Sequence, residues 1–544
     1  MSGLFIEDLL LETSTTGSIF CAQLTKRVDQ FIEEIFQLAG SPEEVSVCAI
    51  GGYGREELCP GSDIDVLLIH DASFDISEVA EKIWYPLWDA GFKLGHQVGT
   101  QKEILNLAES NLETATSLLS ARIVAGNDKI FDGLASKAQD QWIGRFHKYL
   151  KELGNTVQDR YEKFGEVAFR LEPELKQGRG GLRDAHILQW MEIAEPILIT
   201  SESKGLMDAV ETLLSVRVEL HRVTGKRSDR LLLELQDEVA EKLKYENADQ
   251  LMSSVANAAR VITWTGDGAA RRIERIRQST SVRKSLNKLR NTEISPHFEL
   301  DRGRLGLTQE ADRTDPFLPL RAAVIASRFG AYLERISLEK LADSKTEIPQ
   351  IWPEEARLLL IELLMSGSKA VSIIEDLDQY GLFSHLIPEW EACRSKPQRN
   401  AYHMFTVDRH LLETVSVAAS LTTSVERPDL LVLGALLHDI GKGYPGDHTE
   451  VGMDLVKTIA QRMGYKNNDV ELLVGMVEHH LLLPDVATRR DLDDDGTIKS
   501  VATSVKTLSL LSLLDALTEA DSIATGPSAW SSWKAGLVRD LVAR

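Results

Sequence analysis

Apolar residues recur every three or four positions over residues 4–39, which predicts an amphipathic helix near the start of the chain. The polar segment SPEE interrupts this pattern, and a β-prone apolar run follows from Val45 to Ile50. A glycine turn and a polar loop, GGYGREELCPGSD, then lead into a second strand-like run, IDVLLIH. We therefore predict a helical segment over residues 1–44, followed by a small α/β unit over residues 45–130.

Most of the remaining chain has helical periodicity. The segment LEPELKQGRGGLRD interrupts it with glycines, a proline and alternating charges. We predict a helical region over residues 131–290, a helical connector over 291–394 and an all-helical, histidine-rich region over 395–535. The fold class predicted for the whole chain is α+β and predominantly helical.

Composition narrows the class of protein. The chain has 544 residues, 43% hydrophobic and 26% charged, which is typical of a globular protein with several domains. Its formal charge of −22 repels polyanions, so we expect no nucleic-acid partner. The four scattered cysteines form no disulfide framework or zinc motif, and no uncharged apolar run reaches about 18 residues. These features predict a cytoplasmic protein with no membrane partner.

Two aspartates stand two positions apart just behind the glycine turn. Asp63 and Asp65 occur at the start of the second predicted strand, and residues two apart on a strand lie on one face. Such carboxylates can share two Mg²⁺ ions, which bridge triphosphate oxygens and lower the pKa of an attacking hydroxyl. Taken alone, a glycine pair followed by DxD more often marks a simple β-hairpin with solvated aspartates.

The surrounding residues make the signal more specific. Gly51 and Gly52 would let backbone N–H groups approach phosphates, Arg55 would add positive charge and Ser62 a hydroxyl contact. The complete motif resembles the GG…DxD signature of nucleotidyltransferases of the DNA polymerase β type. That resemblance implies that Asp63 and Asp65 are catalytic Mg²⁺ ligands. It also implies that the two glycines, the arginine and the serine of this motif bind the nucleotide.

That superfamily usually has a third carboxylate on a later strand. The candidate strand, FKLGHQVGT at 92–100, contains His96 and no acid. Asp89 and Glu103 lie nearby in the sequence, but no pattern favours either of them. The third metal ligand is therefore left open at this stage.

The loop at 171–184 combines glycines with three cations just before a predicted helix. Lys176, Arg179 and Arg183 carry the charge, and a helix N-terminus behind glycines suits an anion. Composition alone more often marks a mobile basic surface loop. The loop also resembles a segment shared by PII uridylyltransferases and glutamine synthetase adenylyltransferases.

Histidines and aspartates follow one another in the last third of the chain in the order H, HD, H, HH, D. Imidazole and carboxylate groups suit Mn²⁺, Fe²⁺ or Zn²⁺, and the set exceeds the needs of one ion. An adjacent His-Asp pair can bind one metal through the histidine and bridge two through the aspartate, producing a hydroxide nucleophile from water. The candidate ligands are His410, His438, Asp439, His448, His479, His480 and Asp521.

A lone HD dipeptide is weak, but this ordered set resembles the HD-domain metal phosphohydrolases. His448 and the pair His479 and His480 are similar to the two-metal branch of that group. The resemblance implies phosphoester hydrolysis, with His438 and Asp439 as catalytic residues and Lys442 contacting a substrate phosphate. His403, seven residues before the first ligand, fits packing as well as ligation.

Taken together, the three motifs resemble the bifunctional PII uridylyltransferase and uridylyl-removing enzymes of bacterial nitrogen control. The resemblance covers most of residues 45–535. It implies a polymerase-β-type nucleotidyltransferase domain over 45–130, a helical associated domain over 131–290 and an HD phosphohydrolase domain over 395–535. One site would attach UMP from UTP to the signalling protein PII with Mg²⁺, and the other would remove it with a transition metal.

Four alternatives compete with this interpretation. Some relatives attach AMP from ATP to PII, and the residues of the glycine turn do not distinguish the two bases. A tRNA nucleotidyltransferase with an HD domain would need a basic RNA surface, which this acidic chain lacks. Guanosine tetraphosphate synthetases carry the two domains in the reverse order, and a non-enzymatic nucleotide sensor fits poorly with intact Asp63 and Asp65.

Members of the resembled family continue past the HD domain into two ACT domains that sense glutamine, whereas this sequence ends at Arg544. A ligand shifts an equilibrium only through a site with different affinity for the two states. We therefore expect this 544-residue chain to run both activities with little response to glutamine.

Overall fold

The computed structural model describes residues 7–11, 14–198, 200–281, 292–301, 303–398 and 403–544. They fall into two compact units, Met1–Val282 and Arg283–Arg544. Both units are rich in helices, and each contains a small sheet. The α+β, predominantly helical fold class is therefore confirmed.

The first unit is built around a four-stranded sheet with the order β3-β2-β1-β4. Strand β2 pairs with β1 in antiparallel and with β3 in parallel orientation. The two central strands are buried along most of their length, which explains why they read as nearly continuous apolar runs. The strands predicted from Val45 and from Ile64 are confirmed. The strands are β1 (Val45–Ala49), β2 (Ile64–His70), β3 (Leu94–Gly99) and β4 (Arg122–Gly126).

Helices surround this sheet. The helix predicted over residues 4–39 is divided into two, and the longer one buries Phe20, Leu24, Val28 and Ile32 at four-residue spacing. The helices are α1 (Glu7–Leu11), α2 (Gly17–Leu38), α3 (Gly51–Gly54), α4 (Ser77–Asp89), α5 (Gln101–Ala108), α6 (Leu112–Leu118), α7 (Asp128–Phe131), α8 (Leu134–Gly144), α9 (Phe146–Phe164), α10 (Leu182–Ala194), α11 (Thr200–Thr224), α12 (Gln236–Lys242) and α13 (Ala248–Ser281).

The second unit begins with a small sheet in the order β5-β6-β7-β8, where only helices were predicted. Strands of two to four residues contain too few positions to show a period of two, so the sequence pattern could not reveal them. The strands are β5 (Thr292–Ser295), β6 (Phe298–Asp301), β7 (Arg304–Leu307) and β8 (Tyr332–Leu333).

The rest of the second unit is helical and shares one hydrophobic core. Buried side chains from Phe298 to Leu541 form a continuous cluster, so the connector packs together with the histidine-rich region. The helices are α14 (Leu318–Phe329), α15 (Arg335–Asp343), α16 (Glu354–Met365), α17 (Ser368–Gln379), α18 (Leu382–Leu386), α19 (Val407–Ser420), α20 (Pro428–Leu437), α21 (His448–Arg462), α22 (Asn467–His479), α23 (Leu482–Arg489), α24 (Asp495–Val505), α25 (Leu508–Thr525) and α26 (Ser532–Ala543).

The length and apolar composition of the helices bear on whether one could span a membrane. In the described ranges, no single helix is long and apolar enough to cross a bilayer. Helices α24 and α25 meet the combined requirement of length and apolar composition only as a pair, and they are bent by 101° relative to each other.

Candidate active sites

The first candidate site is a cavity in the first unit, at the point where β2 begins. Asp65 is the second residue of β2, and the Ile50 N–H donates to its carbonyl oxygen over 3.1 Å, which holds the glycine turn beside the strand. The cavity is lined by every residue that the sequence analysis assigned to this site, namely Gly51, Gly52, Arg55, Ser62, Asp63 and Asp65.

Two glycines make room for the Asp65 carboxylate. Gly51 begins α3 with φ +59°, and a Cβ there would lie 3.0 Å from Asp65 Oδ2. Gly95 is the partner of Asp65 across the β2–β3 ladder, and a Cβ there would lie 2.2 Å from Asp65 Oδ1. A side chain at either position would displace the carboxylate, so these glycines serve the site as well as the turn.

The position on β3 that faces Asp65 therefore has no side chain. The next residue, His96, points elsewhere and packs against Trp84 and Trp88, with ring centroids 5.4 and 5.8 Å apart. It does not line the cavity. The close approach of β3 to the Asp65 carboxylate leaves no room for an acidic side chain at position 95.

Besides the two aspartates and Glu57, which pairs with Arg55, one more carboxylate among the described residues lines the cavity, and it comes from a helix. Glu103 caps α5 by accepting from the Thr100 N–H over 2.9 Å, and Asp89 is exposed at the end of α4. Glu113, in the first turn of α6, lines the cavity at its exposed edge, and its charge helps to raise the pKa of Asp65. No local sequence pattern marks Glu113, because only tertiary packing places α6 beside β2.

The aspartates are arranged to hold a cation. Burial, and then the neighbouring Asp63 charge, raise the pKa of Asp65. Asp63 Oδ1 is buried and, among the described residues, accepts no hydrogen bond, while Oδ2 forms an ion pair with Arg227. Two mutually repelling carboxylates with an unsatisfied buried oxygen fit a divalent ion with oxygen ligands, such as Mg²⁺.

The loop at 171–184 is a fixed part of the unit rather than a mobile surface loop. Asp184 accepts from the Gly180 N–H and the Tyr161 hydroxyl, each over 2.8 Å. Glu174 accepts from the Gly178 N–H over 3.0 Å. Buried carboxylates that accept from backbone N–H groups hold a loop in one conformation.

This loop contributes cations, not helix N–H groups, to the cavity. The N–H groups of Gly181, Leu182 and Arg183, where α10 begins, donate to carbonyls within the loop over 2.9–3.0 Å. They are not available to an anion, so the predicted anion site at this helix N-terminus was wrong. The side chains of Lys176 and Arg183 line the cavity instead, together with His186.

A short network connects α10 to the glycine turn. His186 Nε2 lies 2.8 Å from Glu57 Oε2, and Arg55 Nε donates to the same oxygen over 2.9 Å. Burial would raise the pKa of Glu57, but the contacts with His186 and Arg55 lower it strongly, while burial lowers the pKa of His186 to about 4. The positive charge beside Glu57 therefore comes from Arg55, and the His186 contact links α10 to the glycine turn at the cavity itself.

The second candidate site is a set of histidines and aspartates in the second unit. His410 of α19, His438 at the end of α20 and Asp521 of α25 form one group that could hold a metal ion. His410 Nε2 lies 3.0 Å from Asp521 Oδ1 and 3.3 Å from His438 Nε2. The neighbouring helices α19 and α20 therefore converge on one point with α25, which lies about 70 residues further along the chain.

A second group lies beside the first. Asp439, His448 and His480 offer donor atoms within 4.8 Å of one another. Asp439 faces both groups, since its Oδ2 lies 3.4 Å from His438 Nε2 and its Oδ1 lies 3.6 Å from His480 Nε2. This arrangement supports the predicted bridging position of Asp439 between two ions.

The ring orientations and charges of this site suit metal binding. His438 Nδ1 lies 3.0 Å from the Ala435 carbonyl, and His480 Nδ1 lies 2.7 Å from the Val477 carbonyl, which directs each Nε2 towards the carboxylates. Although burial lowers the pKa of His438, the Asp439 and Asp521 charges raise it to about 10. Carboxylates that attract a proton so strongly also suit a divalent cation.

Three further residues were named in the sequence analysis. Lys442 Nζ lies 2.5 Å from Asp439 Oδ2, so it neutralises the central carboxylate. His403 packs against His410 with ring centroids 5.1 Å apart. His479 belongs to neither group, because adjacent residues of a helix are rotated by about 100° about its axis and His479 therefore points away from His480. The His479 Nε2 lies 3.7 Å from Glu478 Oε2 instead.

Comparison with known proteins identifies two regions of the chain. Residues 148–267 match the model of the GlnD PII-uridylyltransferase family, and residues 407–523 match that of the HD domain. The first match contains the loop that contributes cations to the cavity. The second contains all six residues of the two possible metal groups.

Several curated relatives share most of the chain, and each is named bifunctional uridylyltransferase/uridylyl-removing enzyme. The protein from Streptomyces coelicolor is 43% identical over 98% of this chain and 66% of its own length. That from Mycobacterium tuberculosis is 41% identical over 92% and 63%, and that from Corynebacterium glutamicum is 32% identical over 92% and 72%. The chain thus spans about two thirds of the length of these relatives.

Proposed function

The chain belongs to the family of bifunctional uridylyltransferase/uridylyl-removing enzymes, and on this premise we propose that it attaches UMP from UTP to the PII protein and removes it by hydrolysis. One observation carries the proposal. Each of the two sets of chemically active residues forms its own site. The first site has the carboxylates and cations that nucleotide transfer needs, and the second has the histidines and carboxylates that a metal-dependent hydrolysis needs. The first site would perform the transfer and the second the hydrolysis.

In the transfer, a tyrosine hydroxyl of PII attacks the α-phosphorus of UTP. A bond forms between the hydroxyl oxygen and this phosphorus, the bond to the bridging oxygen breaks, pyrophosphate leaves, and the hydroxyl proton passes to solvent. Asp63, Asp65 and Glu113 would hold Mg²⁺, which when bound neutralises phosphate charge and lowers the pKa of the hydroxyl. The glycine turn lets the chain approach the phosphates closely.

In the removal reaction, an oxygen from water forms a bond to the phosphorus of the uridylyl group. The bond to the tyrosine oxygen breaks, that oxygen takes up a proton, and UMP leaves. The two groups described above would hold transition-metal ions, which when bound supply a hydroxide nucleophile. Asp439 would face both ions, and Lys442, whose ammonium contacts Asp439, would add positive charge beside the phosphate.

The proposal is tested by incubating this chain with a PII protein, Mg²⁺ and each nucleoside triphosphate in turn, followed by mass spectrometry of PII. We expect one uridylyl group on a tyrosine with UTP, and its loss as UMP when the modified protein is transferred to enzyme without UTP. Addition of AMP from ATP would replace the uridylyl proposal with its adenylyl alternative. No covalent change with any triphosphate would overturn the proposal.

Gly95→Ala tests whether room for Asp65 matters to the transfer. The new methyl group would displace the end of a flexible side chain rather than backbone, so we expect little change in thermal stability. Misplacing a reacting group by about 1 Å can cost on the order of a hundredfold in rate, so attachment should fall by about tenfold or more. Steady-state rates are the measurement, with Gly144→Ala, where nothing lies within 4 Å of the new Cβ, as the control.

A further inference from the structure

The cavity of the first unit contains five cationic side chains, and they are not equivalent. Three form ion pairs with carboxylates of the same unit. Arg55 pairs with Glu57 at 2.9 Å, Arg217 with Asp229 at 2.6 Å, and Arg227 with Asp63. The other two are Lys176 and Arg183, both from the loop before α10.

The latter two cations have no anionic partner within the described parts of the chain. The structure shows no hydrogen bond or ion pair from the Lys176 ammonium or the Arg183 guanidinium to any described residue. The Arg183 guanidinium instead lies 5.7 Å from the centre of the Trp190 ring. Two half-buried cations that face a cavity without a counter-ion are costly unless an anion binds there.

Their electrostatic state agrees with this geometry. Burial, and then the Arg217 charge, lower the pKa of Lys176 to about 8. Burial, and then the Arg55 and Arg160 charges, lower the pKa of Arg183 to about 10. The pKa falls although Asp229 acts on Lys176, and Glu113 and Glu57 act on Arg183, in the opposite sense. Burial and the neighbouring cations therefore outweigh these carboxylates, a condition that a multiply charged anion relieves.

We propose that Lys176 and Arg183 bind the β- and γ-phosphates of the incoming triphosphate and stabilise pyrophosphate as it leaves. This inference rests on the proposed transferase function and assigns the polyphosphate part of the substrate to residues of the helical region. The carboxylates of Asp63 and Asp65 occupy the same cavity and would hold the metal on the α-phosphate. When the bond to the bridging oxygen breaks, the negative charge that develops on that oxygen moves towards these cations.

The loop that carries the two residues has the rigidity that such a role requires. Arg183 and Lys176 are held together, because the Arg183 N–H donates to the Lys176 carbonyl over 2.9 Å. At Gly181, a Cβ would lie 2.8 Å from the Leu175 carbonyl oxygen and 3.0 Å from that of Lys176. The loop can close this tightly only with glycine at that position.

The test uses the complete 544-residue chain with the variants Lys176→Gln and Arg183→Gln. Affinity for inorganic tripolyphosphate, which has neither base nor sugar, is measured by isothermal titration calorimetry. Loss of one charge-assisted contact should weaken binding by about tenfold to a hundredfold. Each variant should raise the KM for UTP. Each should also lower kcat, because less of the charge on the leaving pyrophosphate is stabilised.

Arg179→Gln is the matched control, since it removes the same charge from the same loop. The Arg179 guanidinium contacts Asp267 at 3.1 Å and does not line the cavity, so tripolyphosphate affinity should stay at the wild-type value. Thermal unfolding separates a binding role from a structural one. Removing a cation without a carboxylate partner should leave Tm unchanged or higher, whereas removing a structural ion pair would lower it.

The outcomes for the two proposals are distinguishable. If the Gln variants bind tripolyphosphate and use UTP as the wild type does, the assignment of Lys176 and Arg183 is wrong while uridylyl transfer stands. If they lose tripolyphosphate affinity but the wild type modifies no PII, the anion site stands and the proposed function fails. Equal losses in the Arg179 variant would also overturn the assignment, because they would reflect general charge.

Discussion

Replacing Asp65 with asparagine is expected to lower the rate of nucleotide attachment by on the order of a hundredfold or more, while removal continues at the wild-type rate. The amide keeps the shape of the carboxylate but loses the charge that would hold Mg²⁺ against the triphosphate. Removal should persist, because the proposed hydrolytic residues belong to the other compact unit. The measurement is a pair of initial rates, one for labelled UTP entering PII and one for UMP leaving modified PII.

Asp65 is a cleaner target than Asp63, which also forms an ion pair with Arg227. Its pKa is raised by burial and by the Asp63 charge, so neutralising it relieves repulsion and should not reduce stability. Asp71→Asn, just past the other end of β2, provides a control for the substitution itself. Attachment by a folded Asp65→Asn variant at close to the wild-type rate would exclude this cavity as the transferase site.

Loss of the central carboxylate of the second site should impair removal rather than attachment. Asp439→Ala removes the group that faces both possible ions, so we expect hydrolytic removal to fall by on the order of a hundredfold or more and bound transition metal to fall with it. Attachment should persist. Metal content is measured by inductively coupled plasma mass spectrometry on the same preparations that are assayed for UMP release.

Two adjacent histidines supply the matched control for this site. His480→Ala removes a predicted ligand, whereas His479→Ala changes a residue that lies outside both groups. The first variant should lose metal and hydrolysis, and the second should keep both. Chelation should imitate the first variant, and attachment should return when only Mg²⁺ is restored. Full metal content and full UMP release in Asp439→Ala and His480→Ala would show that the cluster is structural.

The sequence alone determined the chemistry that depends on residues close together in the chain. The strands around the glycine turn follow from short, nearly continuous apolar runs, and Asp63 and Asp65 lie on either side of the first residue of β2. The ordered histidines likewise indicated a metal site, because few structural roles require so many imidazoles in that spacing. By contrast, the two- to four-residue strands β5 to β8 were missed, since so short a segment has no measurable period.

The tertiary structure decided which distant residues act together. Glu113, Lys176 and Arg183 lie on elements far from Asp65 in the chain, and only tertiary packing, such as that of α6 on α3, brings them to one cavity. Packing also separated His480 from His479, because a helix turns adjacent side chains towards different surroundings. Local sequence patterns depend on the conformational preferences of neighbouring residues. The shape and charge of a site depend instead on contacts between segments that are far apart in the sequence.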